Sequence, residues 1–173
     1  MKSGQEDESL SKQFAALGIE KLDQSAITGD DPFVQIISLH VLSPQHPDGG
    51  FEMKEVGRDK EGIMEYAPYT VKEGCDVKFR VIFKVYNNTV LQLSFTGEIY
   101  YMTKALKVDE WDEPLGNFAP VDQEQTVEFA EATMPKGMAK RMGTYYGSGQ
   151  FVDAEDRIHM MFKYNISLGK EWK

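Results

Sequence analysis

The run Cys75-Asp76-Val77-Lys78-Phe79-Arg80-Val81-Ile82-Phe83-Lys84-Val85 alternates apolar and polar side chains, with Ile82 as its one exception. A period of two puts one set on each face of a strand, so Cys75, Val77, Phe79, Val81, Phe83 and Val85 face a core while the charges face water. Tyr86-Asn87-Asn88 then reads as a hairpin turn into Val90, Leu91, Leu93 and Phe95. Upstream, Phe33 to Leu42 is a strand with Leu39 and Val41 on one side, followed by a loop over Ser43 to Gly50. Downstream, Ile99 to Met102, Gln125 to Phe129 and Lys140 to Tyr146 carry strand signals. In Ile158 to Leu168, the residues Ile158, Met160, Phe162, Tyr164, Ile166 and Leu168 alternate with His159, Lys163, Asn165 and Ser167. Seven to nine short strands predict an all-β, immunoglobulin-like antiparallel β-sandwich (roughly that strand count defines the class). No internal repeat is visible.

The first residues follow another period. From Asp7 to Leu22 the pattern is helical and acidic, with Leu10, Phe14 and Leu17 on one face. Asp7 is a suitable N-cap, Glu8 suits the positive helix start, and Gly18 is a natural stop. Asp30-Asp31-Pro32 turns the chain to extended structure. The expected division is a flexible, partly helical arm over residues 1–31 and a sandwich over residues 32–173. So short a helix has little core of its own, and its apolar stripe awaits a partner.

A chain of 173 residues accommodates one packed domain with an appendage. The net charge of −9 disfavours nucleic acid and anionic lipid and favours a basic partner surface. The lone Cys75 cannot form an internal disulfide, and Met1 to Asp7 has no apolar signal core. No apolar run reaches the roughly 18 to 20 residues that span a bilayer. These features predict a soluble cytoplasmic protein that does not insert stably in membranes. Between Val108 and Pro135 stand eight carboxylates (Asp109, Glu110, Asp112, Glu113, Asp122, Glu124, Glu128 and Glu131) and no Lys or Arg. That run is either a solvated, solubilising loop or a docking surface for a polybasic segment.

Catalysis finds no support. His40, His46 and His159 are scattered, without metal-ligand spacing, and no phosphate loop or nucleophile elbow is present. His159 falls on the outward phase of its strand, which suits a solvated or hydrogen-bonded structural role. Cys75 falls on the inward phase, as a small buried hydrophobe. The expectation is no catalytic residue, no metal and no cofactor. The apolar strand faces read first as core, although a sandwich can also part to hold an apolar ligand.

Several motifs resemble the Rho GDP-dissociation inhibitors. They are Asp7-Glu8-Ser9-Leu10 with Lys12 and Ala16-Leu17-Gly18, then Lys72-Glu73-Gly74, Leu106-Lys107-Val108-Asp109 and Gly116-Asn117-Phe118-Ala119-Pro120. Pro135-Lys136-Gly137-Met138 with Arg141 follows, and the chain ends on Asn165-Ile166-Ser167-Leu168 and Lys170-Glu171-Trp172-Lys173. The resemblance implies a regulator, not an enzyme. Its partner would be a prenylated, GDP-bound Rho-family GTPase, held as a 1:1 heterodimer with its isoprenyl tail between the sheets. Asp7, Ser9, Leu10, Phe14 and Leu17 would meet the GTPase switch regions, and Glu155 would pair with a switch arginine. Val41, Tyr69, Val77, Phe79, Val90, Ala139 and Tyr164 would line the lipid pocket, and Asp109 and Glu131 would meet the basic tail. Family members usually carry tryptophans where this chain has Phe162 and Tyr164, and a leucine at Ala139. The alternative is a prenyl- or acyl-binding carrier of lipidated proteins that does not inhibit nucleotide exchange. It would have no use for the Asp7 to Leu17 pattern.

Overall fold

The computed structural model describes residues 31–101, 106–134, 136 and 144–173. The expected helical arm, Ala139 and the start of the Lys140 to Tyr146 segment lie outside the described residues. The strands are β1 (Phe33–Leu42), β2 (Gly50–Glu52), β3 (Glu55–Arg58), β4 (Met64–Tyr66), β5 (Tyr69–Lys72) and β6 (Asp76–Tyr86). There follow β7 (Val90–Tyr101), β8 (Leu106–Phe118), β9 (Gln125–Glu128), β10 (Ala132–Thr133), β11 (Tyr145–Val152) and β12 (Ile158–Gly169).

Two sheets form the sandwich. A five-stranded sheet runs β10-β6-β1-β2, with β9 also on β6, and a seven-stranded sheet runs β3-β4-β12-β11-β7-β8, with β5 also on β12. The period-two segment decides the interior as expected. Val77, Val81, Phe83 and Val85 of β6 are buried, and Phe79 packs against the core. From the other sheet come Leu93 and Phe95 of β7, Phe151 of β11, and Phe162, Tyr164, Ile166 and Leu168 of β12.

The structure revises several expectations. The sandwich is mixed, because β4 and β5 lie end to end along β12 and run parallel to it. Ala67-Pro68 separates the two, and Pro68 has no N–H to continue the ladder. The segments from Val90 and from Ile99 merge in one strand, β7, which ends at Tyr101, and the described end of the Lys140 to Tyr146 segment opens β11, which runs on to Val152. The first part of the acidic stretch is strand, since β8 pairs with β7 from Leu106 to Phe118, while Asp122, Glu124 and Glu131 lie between strands. Pairing along a long neighbour overrides the poor strand propensity of Asp and Glu. On an edge, those charges also discourage further strands from adding.

Bulges change the phase of two strands. On β1, a register shift between Ile36 and Ser38 moves the inward set from Val34 and Ile36 to Leu39 and Val41. On β12, Phe151 opposes Met160 while Val152 opposes Ile158, so His159 is the extra residue. The bulge turns Ile158 outward, to 52% exposure, and turns the His159 side chain in, where it is only 3% exposed. His159 therefore has the hydrogen-bonded structural role without the solvation.

Candidate functional site

At one end of the sandwich the inner faces meet through aromatic rings. Val41 and Phe79 are register partners on β1 and β6. Phe79 crosses the gap to Tyr164 of β12, ring centroids 6.4 Å apart, and touches Phe129 at 6.2 Å. Tyr69 stacks on Tyr164 at 6.5 Å with an interplanar angle of 19°. Phe129 bridges to Phe95 of β7 at 5.0 Å. Val41, Tyr69, Val77, Phe79 and Tyr164 thus gather at one place, closed over by their own rings. Val90 does not join them. It opens β7 opposite Phe118, beside the β6–β7 turn and about 25 Å away at the strand rise of 3.3 Å per residue.

Residues that sequence reasoning missed complete this end. Phe51 meets Tyr69 at 5.3 Å, and Trp172 meets His46 at 4.9 Å and Phe51 at 6.3 Å. A cleft of about 460 Å³ lies among His46, Phe51, Met53, Pro68, Tyr69 and Trp172. Phe51 follows a pair of glycines on a three-residue strand, too short for a periodicity signal. The hydroxyls of Tyr66, Tyr69 and Tyr164 and the indole N–H of Trp172 are buried without a hydrogen-bond partner among the described residues. Burial pushes all three phenols above their ordinary value, so they are neutral. Each unmet hydroxyl carries a desolvation cost of about 1 to 3 kcal/mol. A closed core that leaves several such groups together has weaker reason to stay closed than an apolar one.

Cys75 is buried, and its thiol donates to the Lys72 carbonyl at 2.9 Å. Burial pushes the thiol above its usual range, which disfavours a thiolate nucleophile.

The acidic run is divided between the two sheets. Asp109 and Glu113 share one phase of β8, and the Glu113 carboxylate accepts the Ala130 N–H at 3.1 Å, linking β8 to the segment after β9. Glu110 and Asp112 take the other phase and line a groove of about 740 Å³ with Ile63, Met161 and Lys163. Lys107 pairs with Glu98 and Glu110. Lys78 and Arg80 pair with Glu128 and hold its carboxyl below the usual range. Asp109 on β8 and Glu131, just before β10, are both exposed, at the same end as Val77.

The opposite end carries a charged cluster. Glu155 stands in the turn between β11 and β12, and Arg157 Nη1 donates to its carboxylate at 2.6 Å. Arg157 Nε donates to the buried Asp153 at 2.9 Å. The Val34 N–H donates to His159 Nδ1 at 3.1 Å, so Nε2 carries the proton and donates to Asp153 at 3.0 Å. Burial pushes the Asp153 carboxyl up. The Arg157 guanidinium, the Glu155 amide and His159 outweigh it and hold that carboxyl below its usual range. Asp7, Ser9, Leu10, Phe14, Leu17 and Ala139 lie outside the described residues.

Among the described residues there is no group of three or more His, Cys, Asp or Glu placed to hold a metal ion, and no helix long and apolar enough to cross a membrane. A family model described as RHO protein GDP dissociation inhibitor matches residues 1–171. The chain belongs to the Rho GDP-dissociation inhibitor family. Members of this family are regulators of Rho proteins and not enzymes. "Rho GDP-dissociation inhibitor 1" of Arabidopsis thaliana is 33% identical over 142 residues, covering 82% of this chain and 56% of its own length. This chain thus spans little more than half of that relative. The Homo sapiens protein of the same name is 28% identical over 170 residues, covering 97% of this chain and 78% of its own. The Schizosaccharomyces pombe "Rho GDP-dissociation inhibitor" is 27% identical over 173 residues, covering 100% and 82%. Among solved structures, a Niemann-Pick type C2 protein from the Japanese carpenter ant overlaps with a TM-score of 0.44 at 8% identity. That overlap covers 68% of this chain and 99% of the other, and is too loose to carry an argument.

Proposed function

We propose that this Rho GDP-dissociation inhibitor binds prenylated, GDP-bound Rho-family GTPases one to one in the cytoplasm. It slows GDP release and withdraws the GTPase from membranes by sheltering the isoprenyl tail between its sheets. The family match over residues 1–171 is the observation that carries this reading. The arrangement of the sandwich is consistent with it. A chain of 15 to 20 carbons gains about 12 to 16 kcal/mol on leaving water, at about 0.8 kcal/mol per CH₂. A protein competes with a bilayer only by offering a comparably dry place. The Val41, Val77, Phe79 and Tyr164 end is apolar, and parting Phe79 and Phe129 from Tyr164 and Phe95 would open it.

Asp109 and Glu131 flank that end and would meet the basic residues next to the prenylated cysteine. Glu155 stands at the other end, where Asp31 leads into β1, and would meet a switch-region arginine. Asp7, Ser9, Leu10, Phe14 and Leu17 would bind the switch regions in their closed form, slowing release by population shift. The test is fluorescent-GDP release from a prenylated Rho-type GTPase, with and without this protein. Slowed release that weakens when residues 1–25 are deleted supports the proposal. Extraction from liposomes with an unchanged release rate refutes it.

A further inference from the structure

A series of rings leads from the surface into the gap between the sheets. His46 meets Trp172 at 4.9 Å, Trp172 meets Phe51 at 6.3 Å, and Phe51 meets Tyr69 at 5.3 Å. These four side chains wall the cleft of about 460 Å³. Tyr69 also stacks on Tyr164, which faces Phe79 across the sandwich. Tyr69 is thus the side chain shared by the cleft and the apolar end.

The backbone holds this wall in place. The Thr70 N–H donates to the Lys173 carbonyl at 2.9 Å, and the Lys173 N–H returns to the Thr70 carbonyl at 3.4 Å. That pair sets Trp172 beside Tyr69. The Asp48 N–H donates to His46 Nδ1 at 3.1 Å, orienting the imidazole against the indole.

Two donors in the wall are unused. The Tyr69 hydroxyl and the Trp172 indole N–H are buried and have no hydrogen-bond partner among the described residues. An indole N–H can only donate, so only an acceptor answers it. An isoprenyl chain is all hydrocarbon and has no acceptor. Covering the donors with it leaves their desolvation unmet. The acceptors of a prenylated protein stand at its modified cysteine, as the carbonyl oxygens of the amide and of the terminal carboxyl group.

Charge decides which form of that carboxyl group fits. Asp48, Glu52, Lys54 and Lys173 rim the cleft, two of each sign and all exposed. A free carboxylate at the two donors would be a buried charge with no buried counter-ion, which is the costly case. A carboxymethyl ester offers its carbonyl oxygen without a charge. A second groove, of about 690 Å³, shares Asp48, Phe51 and Glu52 with the cleft and reaches Glu131. It gives the polypeptide before the cysteine a way out toward an exposed carboxylate.

We propose that this cleft is the mouth of the isoprenyl site, where Tyr69 and Trp172 donate to carbonyl oxygens of a prenylated cysteine whose carboxyl group is esterified. The hydrocarbon passes Tyr69 toward Tyr164 and Phe79, and the mouth reads the group that carries it. This inference rests on the isoprenyl binding proposed above and names the chemistry recognised at its entrance.

The experiment titrates the full chain with three probes: N-acetyl-S-farnesylcysteine methyl ester, the corresponding free acid, and methyl farnesyl thioether, which has no carbonyl. The ester is expected to bind about three- to tenfold tighter than the thioether, the scale of one or two neutral hydrogen bonds. It is expected to bind about tenfold tighter than the free acid. In Tyr69→Phe and in Trp172→Phe the ester-to-thioether ratio should fall toward one. A ratio is read because any change in packing common to both probes cancels. The wild-type protein gives a second readout that needs no variant. The Trp172 indole N–H signal, assigned by nuclear Overhauser effects to the His46 and Phe51 rings, should move further downfield with the ester than with the thioether. Equal affinities for ester and thioether, an acid that binds as tightly as the ester, or an indole signal that moves alike with both probes overturns the inference. If none of the three probes binds saturably, the isoprenyl reading itself falls, and the inference falls with it.

Discussion

The ring of Tyr164 on β12 fills the space a side chain at Gly147 on β11 would need: a Cβ there would stand 2.1 Å from Tyr164 Cζ. Gly149 yields likewise to Phe95 and Phe162, its added Cβ meeting Phe95 Cε2 at 2.4 Å. The two glycines let aromatic rings lie across a buried strand. Gly147→Ala is therefore expected to cost about 1 to 3 kcal/mol or more by overpacking, measured by urea denaturation. Unchanged stability would mean that the ring moves aside freely.

The Tyr164 hydroxyl is buried and has no hydrogen-bond partner among the described residues. Tyr164→Phe removes the unmet group and keeps the ring, so stability should hold or rise by about 1 kcal/mol, with isoprenyl affinity retained. A loss of more than about 1 kcal/mol in the same denaturation measurement would show that the hydroxyl makes a stabilising interaction.

Asp153 makes stability depend on pH in one direction. Its folded carboxyl lies below the ordinary 3.8, while the unfolded chain takes up a proton near that ordinary value. The contribution is full above about pH 4 and is lost as pH falls through the folded value. Asp153→Asn should cost about 2 to 4 kcal/mol at pH 7, because Arg157 and His159 lose a buried partner. The gap between variant and wild type should close as pH drops below about 4, in denaturation curves taken across that range. A gap that stays constant with pH would assign the loss to shape and not to charge.

The fold was legible wherever alternation was long and uninterrupted. Cys75 to Val85 placed β6 and its buried face, and Phe162 to Leu168 placed the inner half of β12. Alternation failed at the bulges. Ile158 and His159 exchanged faces because one inserted residue reverses the phase, and no residue type announces such an insertion. β2 to β5 are too short for a period to show, and β8 is strand only because β7 runs beside it. At the candidate site, the motifs gathered Val41, Tyr69, Val77, Phe79 and Tyr164 but also drew in Val90, which lies at the far end. Phe129, Phe51 and Trp172 were not assigned to the site, because tertiary packing brings them there and no sequence spacing does. The Arg157 network was hidden for the same reason, with Asp31 standing 126 residues away.

Asp109 on β8 and Glu131, just before β10, stand at the same end of the sandwich. Changing both to Lys should weaken binding of a prenylated GTPase with a polybasic tail about three- to tenfold at low salt. The difference should vanish at high salt, where screening shortens the reach of exposed charges. Titrations at two ionic strengths check this, and an equal loss at both would remove the electrostatic role.

The claim on which the rest depends is that an isoprenyl chain enters between the sheets where Phe79 and Phe129 now meet Tyr164 and Phe95. A peptide carrying a ¹³C-labelled isoprenyl group, bound to the full chain, reports its neighbours by nuclear Overhauser effects. Contacts from the isoprenyl methyls to Val77, Phe79 and Tyr164, saturating at one peptide per protein, are the predicted result. Contacts confined to outer-face residues such as Met161 and Ile63, or no saturable binding, would contradict it.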